Sequence, residues 1–313
     1  MEKETAKGTL FAIIAAIIFG FTPVGSDLVF GMGSDPVTLT FHRNLLVIPV
    51  LFVIMIIKKI DFRLNLKQFL TLLMVGTAFR CFTNILLYSS YKYIGIGLAT
   101  TIHFTYPVFT VVGAFILFGN KMGKSKILAL TLAMIGIVLA GGSVNGTDFR
   151  GIIVAIASAV TYSAYMIGTE YTEIKKMNVT KVMFYTCIFN SIFLAAVDIP
   201  RGKINYALPG NVMFFSFIIA VGNSILAYFF LMEAIKRIGA GNVAVYSVLE
   251  PLTGIITGIA ILGETLTLKA TISCIMIFSA IIIPIFFDFK EDRRKRLERN
   301  QEEREKFPVS TDK

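Results

Sequence analysis

The segment IGAGNVAVYSVLEPLTGIITGIAILGE, residues 238–264, lies over IGIGLATTIHFTYPVFTVVGAFILFGN, residues 94–120, without a gap when the chain is shifted by 144. Gly95 meets Gly239, Gly97 meets Gly241, Pro107 meets Pro251 and Gly119 meets Gly263, and just upstream Lys92 meets Lys236. Glycine and proline fix backbone geometry, so their agreement at one offset marks a duplicated structural unit. GTLFAIIAA (8–16) likewise resembles GIIVAIASA (151–159) at a shift of 143.

Around these segments the chain is apolar: 55% of its 313 residues are hydrophobic and 16% charged, with a mean hydropathy of +0.74. Such values exclude a soluble domain and define a polytopic membrane protein. The apolar residues form about ten runs of roughly 18 to 26 residues, each able to cross a hydrocarbon core about 30 Å thick as a helix. A period-two alternation is absent, which excludes a barrel.

The spans are expected near 8–29, 36–57, 67–90, 95–118, 124–141, 150–170, 179–197, 211–235, 239–262 and 268–288. Lys3 and Lys7 precede the first as in a signal peptide, but its apolar part is too long and no small-residue cleavage pattern follows, so it reads as a retained helix. Residues 1–145 then hold five spans and residues 146–289 hold five more, ahead of a charged tail at 290–313. Five is odd, so the second copy enters the membrane from the opposite side. The fold expected is all-α, with ten transmembrane helices in two inverted five-helix repeats.

Charge sets the orientation. With the N-terminus inside, the inner segments hold 14 Lys and Arg: Lys3, Lys7, Lys58, Lys59, Arg63, Lys67, Lys121, Lys124, Lys126, Lys175, Lys176, Lys181, Lys236 and Arg237. The outer loops hold 5, namely Lys92, Arg150, Arg201, Lys203 and Lys269. This bias places both termini in the cytoplasm, so the formal charge of +10 orients the protein in an inner membrane and does not point to nucleic acid. The cluster Arg293 to Arg296 beyond the last span reads as a solvated end or a contact with anionic headgroups.

Charges within spans are costly, about 2.5 to 3.5 kcal/mol each at a helix centre on insertion scales, so they face protein or water and mark function. Polar residues recur at helical spacing on four spans: Thr77, Arg80, Asn84 and Tyr88; Thr100, His103, Pro107 and Thr110; Ser158, Tyr162, Tyr165 and Thr169; Tyr246, Glu250, Thr253 and Thr257. They predict a polar cavity between the halves, with Arg80, Asn84, Tyr88, His103, Tyr162, Tyr165, Tyr246 and Glu250 as candidate substrate-binding residues.

Glu250 reads either as a substrate or proton site or as half of a buried ion pair with Arg80. Pro251 lacks an N–H, which is expected to free the Ser247 carbonyl for a solute. Arg80 suits bidentate capture of a carboxylate or phosphate, or a structural role. Arg43, near the outer end of its span, is expected to snorkel or pair with Asp27 or Asp198. His103 reads as hydrogen-bonded core or a proton relay. Glu233 is expected to bridge to its basic neighbours Lys236 and Arg237, and Gly254 with Gly258 has the spacing of a close helix crossing. Cys81, Cys187 and Cys274 read as packing residues, and no metal or other cofactor is called for. No phosphate-cradling loop or catalytic set is present, which argues against direct ATP drive and against an enzyme.

LEPLTGIITGIAILGETLT (249–267), its first-half relative TYPVFTVVGAFILFGNKMG (105–123) and Arg43 resemble the drug/metabolite transporter superfamily, specifically its EamA-like ten-helix exporters, over residues 8–288. The resemblance implies a carrier that moves small, often amino-acid-like metabolites across the bacterial inner membrane by alternating access. Asn120 departs from the pattern, which has Glu there as at Glu264, and Arg80 is not part of it. Export or exchange of a small polar metabolite is the reading, with proton coupling and uncoupled movement both open. A channel-like facilitator or a membrane-embedded protein without transport is the alternative.

Overall fold

The computed structural model describes residues 2–119, 123–140, 148–202, 204–206, 208–262 and, of the remainder, 268, 271, 272, 275, 276, 279 and 283. The expected tenth span, the tail, Cys274, Asn120 and Glu264 fall wholly or mainly outside the described residues. Among those described, every regular element is helical, and eight helices are long and apolar enough to cross a membrane. In chain order these are α1 (Lys3–Gly31), α2 (Pro36–Ile57), α3 (Leu66–Ile94), α4 (Leu98–Phe118), then a shorter apolar helix α5 (Lys124–Ala140), then α6 (Phe149–Tyr171), α7 (Val179–Asp198), α8 (Gly210–Ile238) and α9 (Ala240–Ile261). The nine helices match nine of the ten expected spans.

Proline sets the local breaks. α1 is interrupted at Phe21 ahead of Pro23, α2 at Leu46 and Val47 ahead of Pro49, α4 at Phe104 and Thr105 ahead of Pro107, and α9 at Ser247 and Val248 ahead of Pro251. Each proline falls in the first turn of the segment that follows, where its missing N–H costs nothing and its fixed φ suits the helix. The start of α2 is capped by Asp35, whose Oδ1 accepts from Val37 N at 2.9 Å and Thr38 N at 3.1 Å. At Ser247 the outcome differs from expectation: its carbonyl accepts from Glu250 N at 2.9 Å, because the chain tightens into a turn there and pairs the group that proline would leave open.

The chain is helical without interruption from Arg80 to His103, across the expected junction of α3 and α4. The axis nevertheless turns, since Tyr91 Oη and Thr100 Oγ1 lie 3.5 Å apart. In a straight helix nine residues advance about 13.5 Å and end on the opposite face. In the second half the same junction is a clean break at Gly239, with φ of 81°.

Packing runs between the halves. α1 lies on α8 and α9, and α6 lies on α3 and α4, while α4 meets α9 and α7 meets α2. Contacts recur in pairs: a Cβ on Gly8 would come 2.6 Å from Ile238, and one on Gly151 2.6 Å from Ile94. Gly25 faces Ile219 as Gly168 faces Val75. In each case the partners differ by 143 and 144, the two offsets found in the sequence.

The closest crossing is at Gly20, where a Cβ would lie 2.4 Å from Thr253 Cβ and 2.7 Å from the Glu250 carbonyl oxygen, beside Gly254. Gly20→Val is expected to force α1 from α9 and to cost about 1 to 3 kcal/mol through overpacking. A lower melting temperature in detergent than for Gly31→Ala, at a glycine with open space beside it, checks this.

Candidate functional site

A cavity of about 200 Å³ opens between the halves. It runs from Tyr162, Tyr228 and Glu250 at its floor to Asp27, Phe30, Tyr91 and Thr100 near the helix ends that carry the loops after α1 and α3. Six of the eight sequence candidates line it: Arg80, Asn84, Tyr88, His103, Tyr162 and Glu250. The other two do not. Tyr165 is buried behind Tyr162, with ring centroids 5.9 Å apart, and Tyr246 is buried on α9 one turn before Glu250.

Glu250 is 8% exposed, and Tyr106 Oη donates to its Oε1 at 2.8 Å. Tyr106 stands 144 residues before Glu250, so the two residues that precede the paired prolines hydrogen-bond to each other. Around them is an aromatic floor. Tyr106 meets Tyr162 edge-on at 4.6 Å, His103 lies 5.6 Å from both, and His103 Nδ1 is 2.9 Å from Ser158 Oγ. These contacts hold the carboxylate on a rigid wall.

Arg80 is 3% exposed and its guanidinium sits 3.6 Å over the ring of Tyr228. A desolvated stack of this kind contributes about 2 kcal/mol. The expected ion pair with Glu250 is not formed, and Arg80 Nε and Nη2 have no hydrogen-bond partner among the described residues. An unpaired buried polar group costs about 1 to 3 kcal/mol, a cost that both donors carry in this arrangement. Arg43 differs from expectation as well. It is 7% exposed, lines the same cavity and pairs with neither Asp27 nor Asp198; Asp198 instead lies 3.9 Å from Arg201. Burial by α7 and α8 against α2 turns Arg43 inward, so snorkelling is prevented.

Both third helices of the halves carry a π-helical segment, Leu72–Phe79 in α3 and Val221–Ala227 in α8. The wider turn shifts the side-chain register, a device frequent at functional sites. Arg80 follows the first segment and Tyr228 the second, while Asn223 within the second donates to Thr22 Oγ1 at 2.6 Å. Sequence reasoning passed over Tyr106, Tyr228 and Asn223. The offset of 144 was the available signal, since it carries Glu250 to Tyr106 and Asn84 to Tyr228.

The cavity does not reach the opposite end of the bundle, where the basic segments lie. Lys67 and Lys176 reach Glu173 at 3.0 and 3.3 Å, Arg237 bonds Glu4 at 3.1 Å and also Glu233, and Lys236 donates to the Met177 carbonyl. Glu233 therefore bridges to Arg237 and not to Lys236. Hydrogen bonds from Lys67, then Lys176, hold the Glu173 carboxyl below the ordinary carboxylate range. The two Glu173 pairs are thus complete at neutral pH and are lost only as pH falls through that lowered range.

A multi-span bundle, helical in every regular element among the described residues and enclosing a cavity lined by Arg43, Arg80 and Glu250, fits a membrane transporter, with a bilayer and a small-molecule substrate as its partners. The EamA-like transporter family matches this chain twice, over residues 6–142 and 149–286, and the chain belongs to that family. Among curated relatives, the uncharacterized transporter YcbK of Bacillus subtilis (strain 168) is 25% identical over 89% of this chain and 93% of its own. The uncharacterized transporter sll1319 of Synechocystis sp. is 26% identical over 90% and 94%. A protein crystal structure at 16% identity superposes with a TM-score of 0.76 over 88% of this chain and 97% of that one, a likeness of fold alone.

Proposed function

We propose that the protein is a secondary carrier that exports or exchanges a small polar metabolite by alternating access, rocking two inverted five-helix halves, residues 1–145 and 146–289, about the cavity. The observation that carries this is the Tyr106–Glu250 hydrogen bond at the cavity floor. Equivalent residues of two copies touch each other only on the axis that relates the copies, so the bond supports a polar site where both halves meet. Two similar halves of opposite orientation can exchange conformations and so move one site from one face of the membrane to the other.

On this reading Arg80, Asn84, Tyr88, His103, Tyr162 and Glu250 contact the substrate, with Tyr165 and Tyr246 supporting them from behind. Arg80 and Arg43 offer donors to an anionic group, and Glu250 and Asp27 offer acceptors to a cationic one. A zwitterion of amino-acid size suits that distribution, and Glu250 is the group through which protons would couple. With both termini in the cytoplasm of a bacterial inner membrane, the cavity faces outward and the basic, clasped end faces inward.

Purified protein in proteoliposomes tests the proposal. A panel of radiolabelled zwitterionic metabolites is expected to show saturable uptake that is accelerated several-fold by the same solute on the opposite side. Flux without trans-stimulation would assign a channel, and its absence for every polar solute would remove the transport reading.

A further inference from the structure

The near-symmetry of the halves fails at one carboxylate. Gly25, Ser26 and Asp27 of α1 correspond at the offset of 143 to Gly168, Thr169 and Glu170 of α6, so Asp27 is the counterpart of Glu170. At the basic end Glu170 Oε2 accepts from the Ala240 backbone N–H at 2.6 Å. Its carboxylate also fills the space beside Gly239, where a Cβ would lie 2.8 Å from Oε1. This bond ties α6 to the start of α9. At the open end Asp27 lines the cavity mouth, is exposed, and makes no hydrogen bond or ion pair among the described residues.

The glycine contacts that flank the two positions are kept on both sides: Gly25 with Ile219 and Gly168 with Val75, Gly8 with Ile238 and Gly151 with Ile94. The carboxylate differs, and so does the junction it faces: the chain breaks at Gly239 in the second half, whereas the first half is helical without interruption from Arg80 to His103. An offset of 144 carries Gly239 and Ala240 to Gly95 and Ile96, at the junction of α3 and α4. We propose that Asp27 is the positioning residue that closes the mouth of the cavity: when that end shuts, the helix breaks at Gly95 as the chain now breaks at Gly239, and the carboxylate accepts the freed Ile96 backbone N–H as Glu170 now accepts that of Ala240. The inference rests on the alternating-access reading and adds the identity of the two latches, which engage in turn.

A backbone donor explains why the counterpart of Ala240 can be Ile, since the latch does not read the side chain. Asp is one methylene shorter than Glu, and Gly95, with no Cβ, allows the closer approach this needs. The role is to accept a hydrogen bond, so an amide oxygen replaces the carboxylate whereas a methyl group does not.

The test uses full-length protein carrying Leu87→Cys, a cavity-wall reporter, labelled with a membrane-impermeant maleimide from each side of sealed vesicles. Glu170→Ala is expected to raise labelling from the basic-loop side about tenfold by releasing the present latch. Asp27→Ala is expected to lower it by a similar factor, and Asp27→Asn to leave it unchanged. In the Glu170→Ala background, Asp27→Cys with Ile96→Cys is expected to crosslink through a short bifunctional thiol reagent.

If Glu170→Ala opens the basic-loop side while Asp27→Ala changes nothing and no crosslink forms, the latch is wrong and alternating access stands. If the reporter reacts from one side only in every variant, alternating access itself fails and the latch with it. Asp27 is exposed, so its variants leave folding intact and the labelling comparison stands on them alone.

Discussion

Glu250→Gln is expected to reduce trans-stimulated exchange about tenfold to a hundredfold, with little loss of folded protein. The amide keeps the size of the side chain and can still accept from Tyr106 Oη, which now lies 2.8 Å from the carboxylate. What it removes is the charge. A hydrogen bond to a charged group contributes about 1.5 to 3 kcal/mol, which converts to roughly that range of rate or affinity. Tyr106→Phe removes one neutral donor and is expected to cost less, about twofold to tenfold. Exchange rates in proteoliposomes over a range of pH are the measurement. A Gln variant that matched the native protein in rate and in pH profile would show that this carboxylate only packs.

The second large effect is expected at Arg80, from the most conservative change available. Arg80→Lys keeps the positive charge, yet it loses the flat guanidinium stacked 3.6 Å over Tyr228 and the fork of donors that Nε and Nη2 hold unpaired. Lysine is a compact, strongly hydrated point charge that matches neither feature. The half-saturating concentration for a carboxylate-bearing substrate should therefore rise about tenfold or more. Tyr228→Phe keeps the ring face and should retain most of the affinity, whereas Tyr228→Leu should behave like Arg80→Lys. If lysine supported native affinity, charge alone would suffice and the stacked geometry would have no part in binding.

The two experiments separate the ends of the bound molecule. Loss at Arg80 restricted to substrates that carry an anionic group, and loss at Glu250 restricted to those that carry a cationic one, would orient the solute in the cavity. Equal losses for all substrates at either position would point to the bundle and not to the ligand.

Much of the helical plan was legible in the chain because a bilayer leaves so few choices. Backbone groups without water must be paired within a helix, so length and hydropathy placed the nine helices that the structure describes. Prolines and glycines at a fixed offset announced two matching units, and the same offset recurs in the contacts of Gly8 and Gly151. The site was half legible. The spacing of Arg80, Asn84 and Tyr88 put them on one face of α3, and they do share a cavity with Glu250. The threonine stripes were misleading, since Thr110, Thr169, Thr253 and Thr257 each donate to a carbonyl of their own helix. A threonine at helical spacing satisfies itself and needs no cavity.

Sequence alone thus determined that the chain crosses a membrane repeatedly, that it is built twice over, and which charges are too costly to be incidental. Tertiary structure decided which side chains meet. Glu250 takes Tyr106 as its partner, Arg80 stacks on Tyr228, Arg43 turns inward, and Glu170 holds a backbone N–H while Asp27 holds none. The reason is physical: hydropathy and helical period act within one segment, where a few residues fix the answer. Partnership between charges depends on the relative rotation and depth of helices far apart in the chain, which only the packing of the whole bundle sets.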